Sequence, residues 1–329
     1  MARRLPALLA AALAAALTLA AAPPPARACL WDYDTLKEES LRDRDVVRVL
    51  EGDLGKHSQA FYEAKATYTQ ALIATGKARK ERYDDLAVAL AKTGKLDEAL
   101  AVLADKDARF PGEYTTLANR GTFLAMKGDV AGALAELGRA VTLNPDAHFG
   151  REKVQIQLLE WMQAIRKDPS LVGKRTFLGG PLDRDQHIEI RGKRGKGAAA
   201  RALDEQVKAM IGLVRFGDAD RNPHLWLALG HALSARGDNQ LAMFAYRRAE
   251  LVGHPHAAGQ GGMRAGILRD LKGDQPTLRP DDESARANWA RAIARVDPIL
   301  ARGATAMARA QAVEDRKLAA RRFKQAFGY

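Results

Sequence analysis

Cysteine is almost absent from this 329-residue chain, which has one, Cys29. One cysteine excludes an internal disulfide, so the fold must stand on packing alone. Aromatic residues are scarce, at 6%. Basic residues therefore lack the interleaved aromatics that stack on bases. Beyond the first 22 residues no apolar run is long enough to cross a membrane, which takes roughly 18 residues. Acidic residues are outnumbered, 40 against 52 basic ones, for a formal charge of +12. Arg3, Arg4 and Arg27 belong to the leader, and the other basic residues are interleaved with acids. Such a surplus reads as a solubilising surface, not a nucleic-acid footprint. What is plentiful points the other way. Hydrophobic residues make up 47% and charged residues 28%, enough for a core and too apolar for disorder. Alanine, leucine, lysine and arginine dominate, and these are helix formers.

The first residues read as a targeting segment. Arg3 and Arg4 precede an apolar stretch from Leu5 to Ala22, and Ala26-Arg27-Ala28 supplies the small-x-small cleavage pattern. Cleavage after Ala28 makes residues 1–28 a signal peptide and Cys29 the first mature residue. A cysteine there also raises lipidation, but Ala26 and Arg27 depart from the usual lipoprotein signal. The expected location is the periplasm or envelope of a bacterium. Membrane attachment is expected only if Cys29 is lipidated or the C-terminal helix lies on a lipid surface.

Self-comparison finds a period. Starting from Ala87, Leu90, Gly94, Ala99, Leu103 and Pro111, a step of 34 residues leads to Gly121, Leu124, Gly128, Ala133, Leu137 and Pro145, while Leu86 drifts to Arg120; most of the anchors recur in type. Small residues at 87 and 121, and at 99 and 133, let two helices approach. The glycines at 94 and 128 end a first helix in a left-handed turn. The prolines stop a second helix. A third copy carries Trp226, Leu229, Gly230, Leu233, Gly237, Ala242, Tyr246 and Ala249. These anchors resemble the tetratricopeptide repeat, and the resemblance implies an all-α solenoid of antiparallel helix pairs.

The remainder is looser. The organisation read from the sequence is a segment at 29–79 with a lead-in helix over 59–75, then two tandem repeats at 80–147. A helix at 148–168 follows, with Val154, Leu158, Trp161 and Ile165 on one face. Residues 169–197 form a basic, glycine-rich inserted loop with a short strand expected at His187 to Ile190. A helix and the third repeat fill 198–255. Residues 256–282 read as a linker with a helix near Met263 to Leu271. Basic helices at 283–329 cap the solenoid, with Asp297-Pro298 marking a break and restart. The stretch Cys29-Leu30-Trp31-Asp32-Tyr33-Asp34-Thr35-Leu36 resembles the start of a family of exported bacterial tetratricopeptide-repeat proteins. Tyr83 to Ala89, Asn144 to Glu152 and Arg215 to Asp218 are similar to that family's segments too. This resemblance implies location and fold, and no reaction.

No constellation calls for catalysis, and no cofactor is expected. His254 and His256 are the one close histidine pair, without a second cysteine to complete a metal set. Gly192-Lys193-Arg194-Gly195-Lys196-Gly197 lacks the glycine spacing and the following hydroxyl of a phosphate loop. Asp84-Asp85 reads as a pair of acids on a solvated helix start. Trp161, Trp226, Trp289, Phe244 and Tyr246 read as core. The surface left for function is the concave face. By resemblance its inward positions are Glu81, Asp84 and Val88, then Thr115, Ala118 and Thr122, then His224, Leu227 and His231. Asp84, Ala118 and Leu227 stand where a carboxylate clamp would need lysine or asparagine. The expected partner is a protein or peptide held in that groove. The alternative is an envelope-attachment protein using its basic surface on anionic lipid or cell-wall polymer.

Overall fold

The computed structural model describes residues 44–179, 198–269 and 283–328. Within them the chain is an all-α solenoid with no strands. Its helices are α1 (Arg44–Leu50), α2 (Gln59–Ala74), α3 (Lys80–Lys92), α4 (Leu96–Arg109), α5 (Tyr114–Lys127), α6 (Val130–Leu143), α7 (Arg151–Lys167), α8 (Ala198–Arg215), α9 (Pro223–Arg236), α10 (Asn239–Leu251), α11 (Ala257–Arg269), α12 (Glu283–Ala320) and α13 (Phe323–Phe327). Among the described residues no helix is long and apolar enough to cross a membrane. The expected leader, Cys29 and the strand expected at 187–190 lie outside the described residues.

The period in the sequence is the period of the structure. α3/α4, α5/α6 and α9/α10 are three hairpins joined by one turn. Gly94, Gly128 and Gly237 each take a positive φ, between 83° and 96°. After each glycine the next amide reaches back 2.9 Å to the carbonyl of Leu90, Leu124 or Leu233, which satisfies a carbonyl that the helix end would orphan. Ala87, Ala99, Ala133 and Ala242 are fully buried, as are Leu103, Leu137, Trp226 and Tyr246. At Gly230 a Cβ would sit 2.7 Å from the Tyr246 ring, so only glycine lets the two helices close on that tyrosine. Pro111 and Pro145 follow the ends of α4 and α6, as expected.

Two expectations need correction. The glycine-rich stretch after Pro255 is not a linker but the start of α11. Gly261 and Gly262 are the places where α12 crosses it, against Trp289 and the Ala285 carbonyl. Pro298 does not break the C-terminal helix. α12 runs through it for 38 residues. An internal proline costs about 3 kcal/mol. The loss is offset by Val296 and Leu300, buried on either side of it. Asp297 adds a two-pronged pair with Arg247, both contacts at 2.8 Å.

α12 also travels further than a cap on the last repeat requires. Its first half packs on α11 and α10, and its second half reaches α2. There Gln311 Nε2 donates to the Lys56 carbonyl at 2.9 Å, and Glu314 accepts from the Ser58 amide at 3.1 Å. Glu314 also contacts His57 Nδ1 at 2.5 Å. Beyond it, α13 lays Phe323 and Phe327 on Phe61 of α2. The two ends of the described stack are thereby joined.

Candidate partner-binding surface

The nine inward positions do not form an open surface. Glu81 is exposed and Thr115 is half-buried, while the other seven are buried. Each buried side chain has a neighbour that explains it. Val88 lies in a small apolar core with Leu86, Leu103 and Phe123. Ala118 packs with Leu117 and Ala140. Thr122 accepts a hydrogen bond from Gln155 of α7 at 3.3 Å. Leu227 is part of the main core. The His231 ring meets the Tyr246 ring edge-on at 5.5 Å.

Asp84 and Asp85 correct the expectation of a solvated pair of acids. Both are buried. Lys106 donates to both oxygens of Asp84 at 2.7 Å, Thr115 donates at 3.0 Å and Asn119 at 3.3 Å. Burial pushes the Asp84 carboxyl up to about 6, against the pull of Lys106, Thr115 and Asn119. Asp85 faces the other way, toward Arg82 at 3.0 Å and the fully buried Lys65 of α2 at 3.4 Å. The hint in the sequence was periodicity. Phe61, Lys65 and Thr69 share one face of α2, and Ala99, Leu103 and Lys106 share one face of α4. A lysine in such a stripe has to bring a carboxylate inside with it.

A second knot ties distant segments. Lys56 Nζ lies 2.9 Å from Asp218 and 2.6 Å from Asp220, while Lys92 Nζ lies 2.8 Å from Asp218. Asp218 holds a left-handed backbone, φ 54°. Burial opposes its charge, yet Lys92 and Lys56 hold the carboxyl well below the usual range. The link before α2, the end of α3 and the turn before α9 are fastened together.

Three histidines, His224, His254 and His256, gather at one end of the third repeat. His224 lies 5.0 Å from His254 and 5.9 Å from Trp161, ring to ring, and His254 lies 6.1 Å from His256. Burial pushes His224 down to about 4. Burial, with His224 and His256 adding to it, pushes His254 to about 3. Both are neutral at physiological pH. Among the described residues no group of three or more histidine, cysteine or acidic side chains is placed to hold a metal.

Comparison with known families places a tetratricopeptide repeat at residues 223–250. That segment is α9 and nearly all of α10, the hairpin built on Trp226, Gly230, Ala242 and Tyr246. No curated protein matches the chain significantly. Repeats of this kind serve protein–protein interaction.

Proposed function

We propose that this chain is an exported, non-catalytic scaffold that holds a partner protein. The observation that carries the reading is the tetratricopeptide repeat at 223–250 within a stack of helical hairpins. Such arrays work as extended recognition surfaces. The leader-like residues 1–28 support export. The buried acids of α3 are spent on buried lysines, Asp84 on Lys106 and Asp85 on Lys65, which supports a structural role for them over a chemical one. Because seven inward positions are buried, the partner docks on surface other than those side chains.

A specific observation also favours envelope attachment as the second reading. Arg302, Arg309 and Arg316 recur along α12 and are exposed, and Lys317, Arg321, Arg322 and Lys324 extend the stripe. Affinity capture of the tagged chain from its own envelope fraction, at low and at high salt, separates the two. A scaffold retains a defined protein at high salt. Retention only of anionic lipid or cell-wall polymer, lost steeply as salt rises, overturns the scaffold reading in favour of attachment.

A further inference from the structure

α10 and α12 do not close on each other along their whole length. Between them, with one residue from α11, lies a half-open groove of about 590 Å³. That volume falls in the range of ligand pockets, about 300–1,000 Å³. Its floor is apolar, with Met243 and Phe244 from α10 and Val296 and Ile299 from α12. Two arginines of α12, Arg291 and Arg295, line the same groove and are exposed. They are four residues apart on one helix, so their heads stand on the same side of it.

Arg291 donates to the Asn288 side-chain carbonyl at 2.5 Å. Among the described residues neither arginine has a carboxylate within ion-pairing distance. The contrast lies one helix away. Arg247 takes Asp297 at 2.8 Å with two nitrogens and Glu250 at 2.7 Å with a third. Asp297 and Glu250 are thus engaged by Arg247. What remains over the groove is an apolar floor beside two guanidinium forks, a geometry suited to pairing with carboxylates.

We propose that this groove binds an acidic peptide segment of a partner protein, seating large apolar side chains on the floor and presenting Asp or Glu to Arg291 and Arg295. The half-open shape favours a peptide, whose backbone stays at the surface while side chains enter, over a ligand needing enclosure. The groove is separate from the nine inward positions. The inference rests on the scaffold reading and adds the place of docking and the chemistry of what docks.

The test is selection of short random peptides on the purified chain, with synthetic versions of the winners measured by fluorescence anisotropy. The expected winners carry leucine, isoleucine, phenylalanine or tryptophan beside aspartate or glutamate. The double variant R291E/R295E, both sites exposed, should melt like the parent and bind these peptides at least about tenfold more weakly. It should gain binding to the same peptides with lysine in place of the acids. Ile299→Glu, which puts a charge on the floor, should weaken both sets. Winners without acidic residues, or equal binding by R291E/R295E, overturn the proposal. So does native mass spectrometry that finds a fatty acid lost on charge reversal, or a dimer of the chain that the double variant dissociates. A protein captured from the envelope that binds R291E/R295E undiminished removes this groove and leaves the scaffold standing. Capture of no protein at all removes the scaffold.

Discussion

At the repeat position filled by Ala140 in the second hairpin and Ala249 in the third, the first hairpin has Lys106. Across from it, where the others have Ala118 and Leu227, the first has Asp84. The two regions share a hairpin backbone, the same glycine turn and small residues at the crossing, Ala87 with Ala99 in one and Gly230 with Ala242 in the other. They differ in what fills the seam. The first hairpin fastens itself to the second with a buried ion pair that also engages Thr115 and Asn119. The third fills the seam with Trp226, Tyr246 and neutral histidines. Register is set by the positions that must be small or left-handed, and the rest of the interior is open to different chemistry. The aromatic version is the one that the repeat's family description matches.

The strongest way to break that contrast is Lys106→Met. It leaves Asp84 buried without its cation, and losing one partner of a buried pair costs about 3–5 kcal/mol. Converting both sides, Asp84→Leu with Lys106→Met, makes the first hairpin resemble the third and should recover most of the loss. Urea unfolding midpoints of the two variants read this directly. Equal destabilisation of the single and the double variant would show that Thr115 and Asn119, not the lysine, hold the seam.

Acid should separate the two regions by sign. An unfolded histidine titrates near about 6.5, whereas His224 is pushed down to about 4 and His254 to about 3. Between about pH 6.5 and 4 the unfolded chain takes up protons that the folded chain refuses. Stability from these histidines is therefore full above the unfolded value and lost as pH falls. For His224 the loss approaches roughly 2–3 kcal/mol at pH 4, because a tenfold difference in proton affinity is worth about 1.4 kcal/mol. Asp84 works the other way. Its folded value is raised to about 6, so acidification through that window relatively favours the fold. Hydrogen exchange at pH 7 and pH 5 should show α9 and α10 loosening on acidification more than α3 and α4. His224→Leu should flatten the acid limb, and a limb unchanged by it would move the effect to another group.

What the sequence disclosed and what it concealed follow one physical line. Positions under a steric rule were legible, because Gly94, Ala99, Gly128, Ala133 and Gly237 answer to local geometry that any copy must repeat. The buried aromatics were legible from helical spacing. Long-range pairing was not. Lys106 and Asp84 look like surface charges until the fold brings them within 2.7 Å. The same blindness explains the inward face, where positions assigned by resemblance are covered by packing that a single repeat does not contain. Gly261 and Gly262 read as loop because glycine disfavours helix, yet a distant helix needs the space they leave. Gln311 and Glu314 interrupt the apolar stripe that Leu300, Ala304, Met307 and Leu318 make along α12, and they are the groups that grip the N-terminal end of α2.

That grip joins the two regions, and Glu314→Ala is the mildest way to test it. Ser58 is the cap residue of α2, and its hydroxyl accepts from the Phe61 amide at 3.1 Å. Glu314 accepts from the Ser58 amide itself, completing from another helix the reciprocal pair that a capping box makes within one. It also meets His57, whose ring stacks on Phe61 at 3.9 Å. Losing one capping partner at a half-buried site costs about 1 kcal/mol, or roughly 1–2 °C in melting midpoint for a protein of this size. The informative readout is where exchange rises. If α12 only straps the N-terminal end, amides of α2 should exchange faster while those of α9 and α10 stay as they were. If exchange rises equally in the third repeat, the helix is transmitting stability along its length. The charged seam and the aromatic seam would then unfold as one unit, and the contrast between them would be one of composition and not of independence.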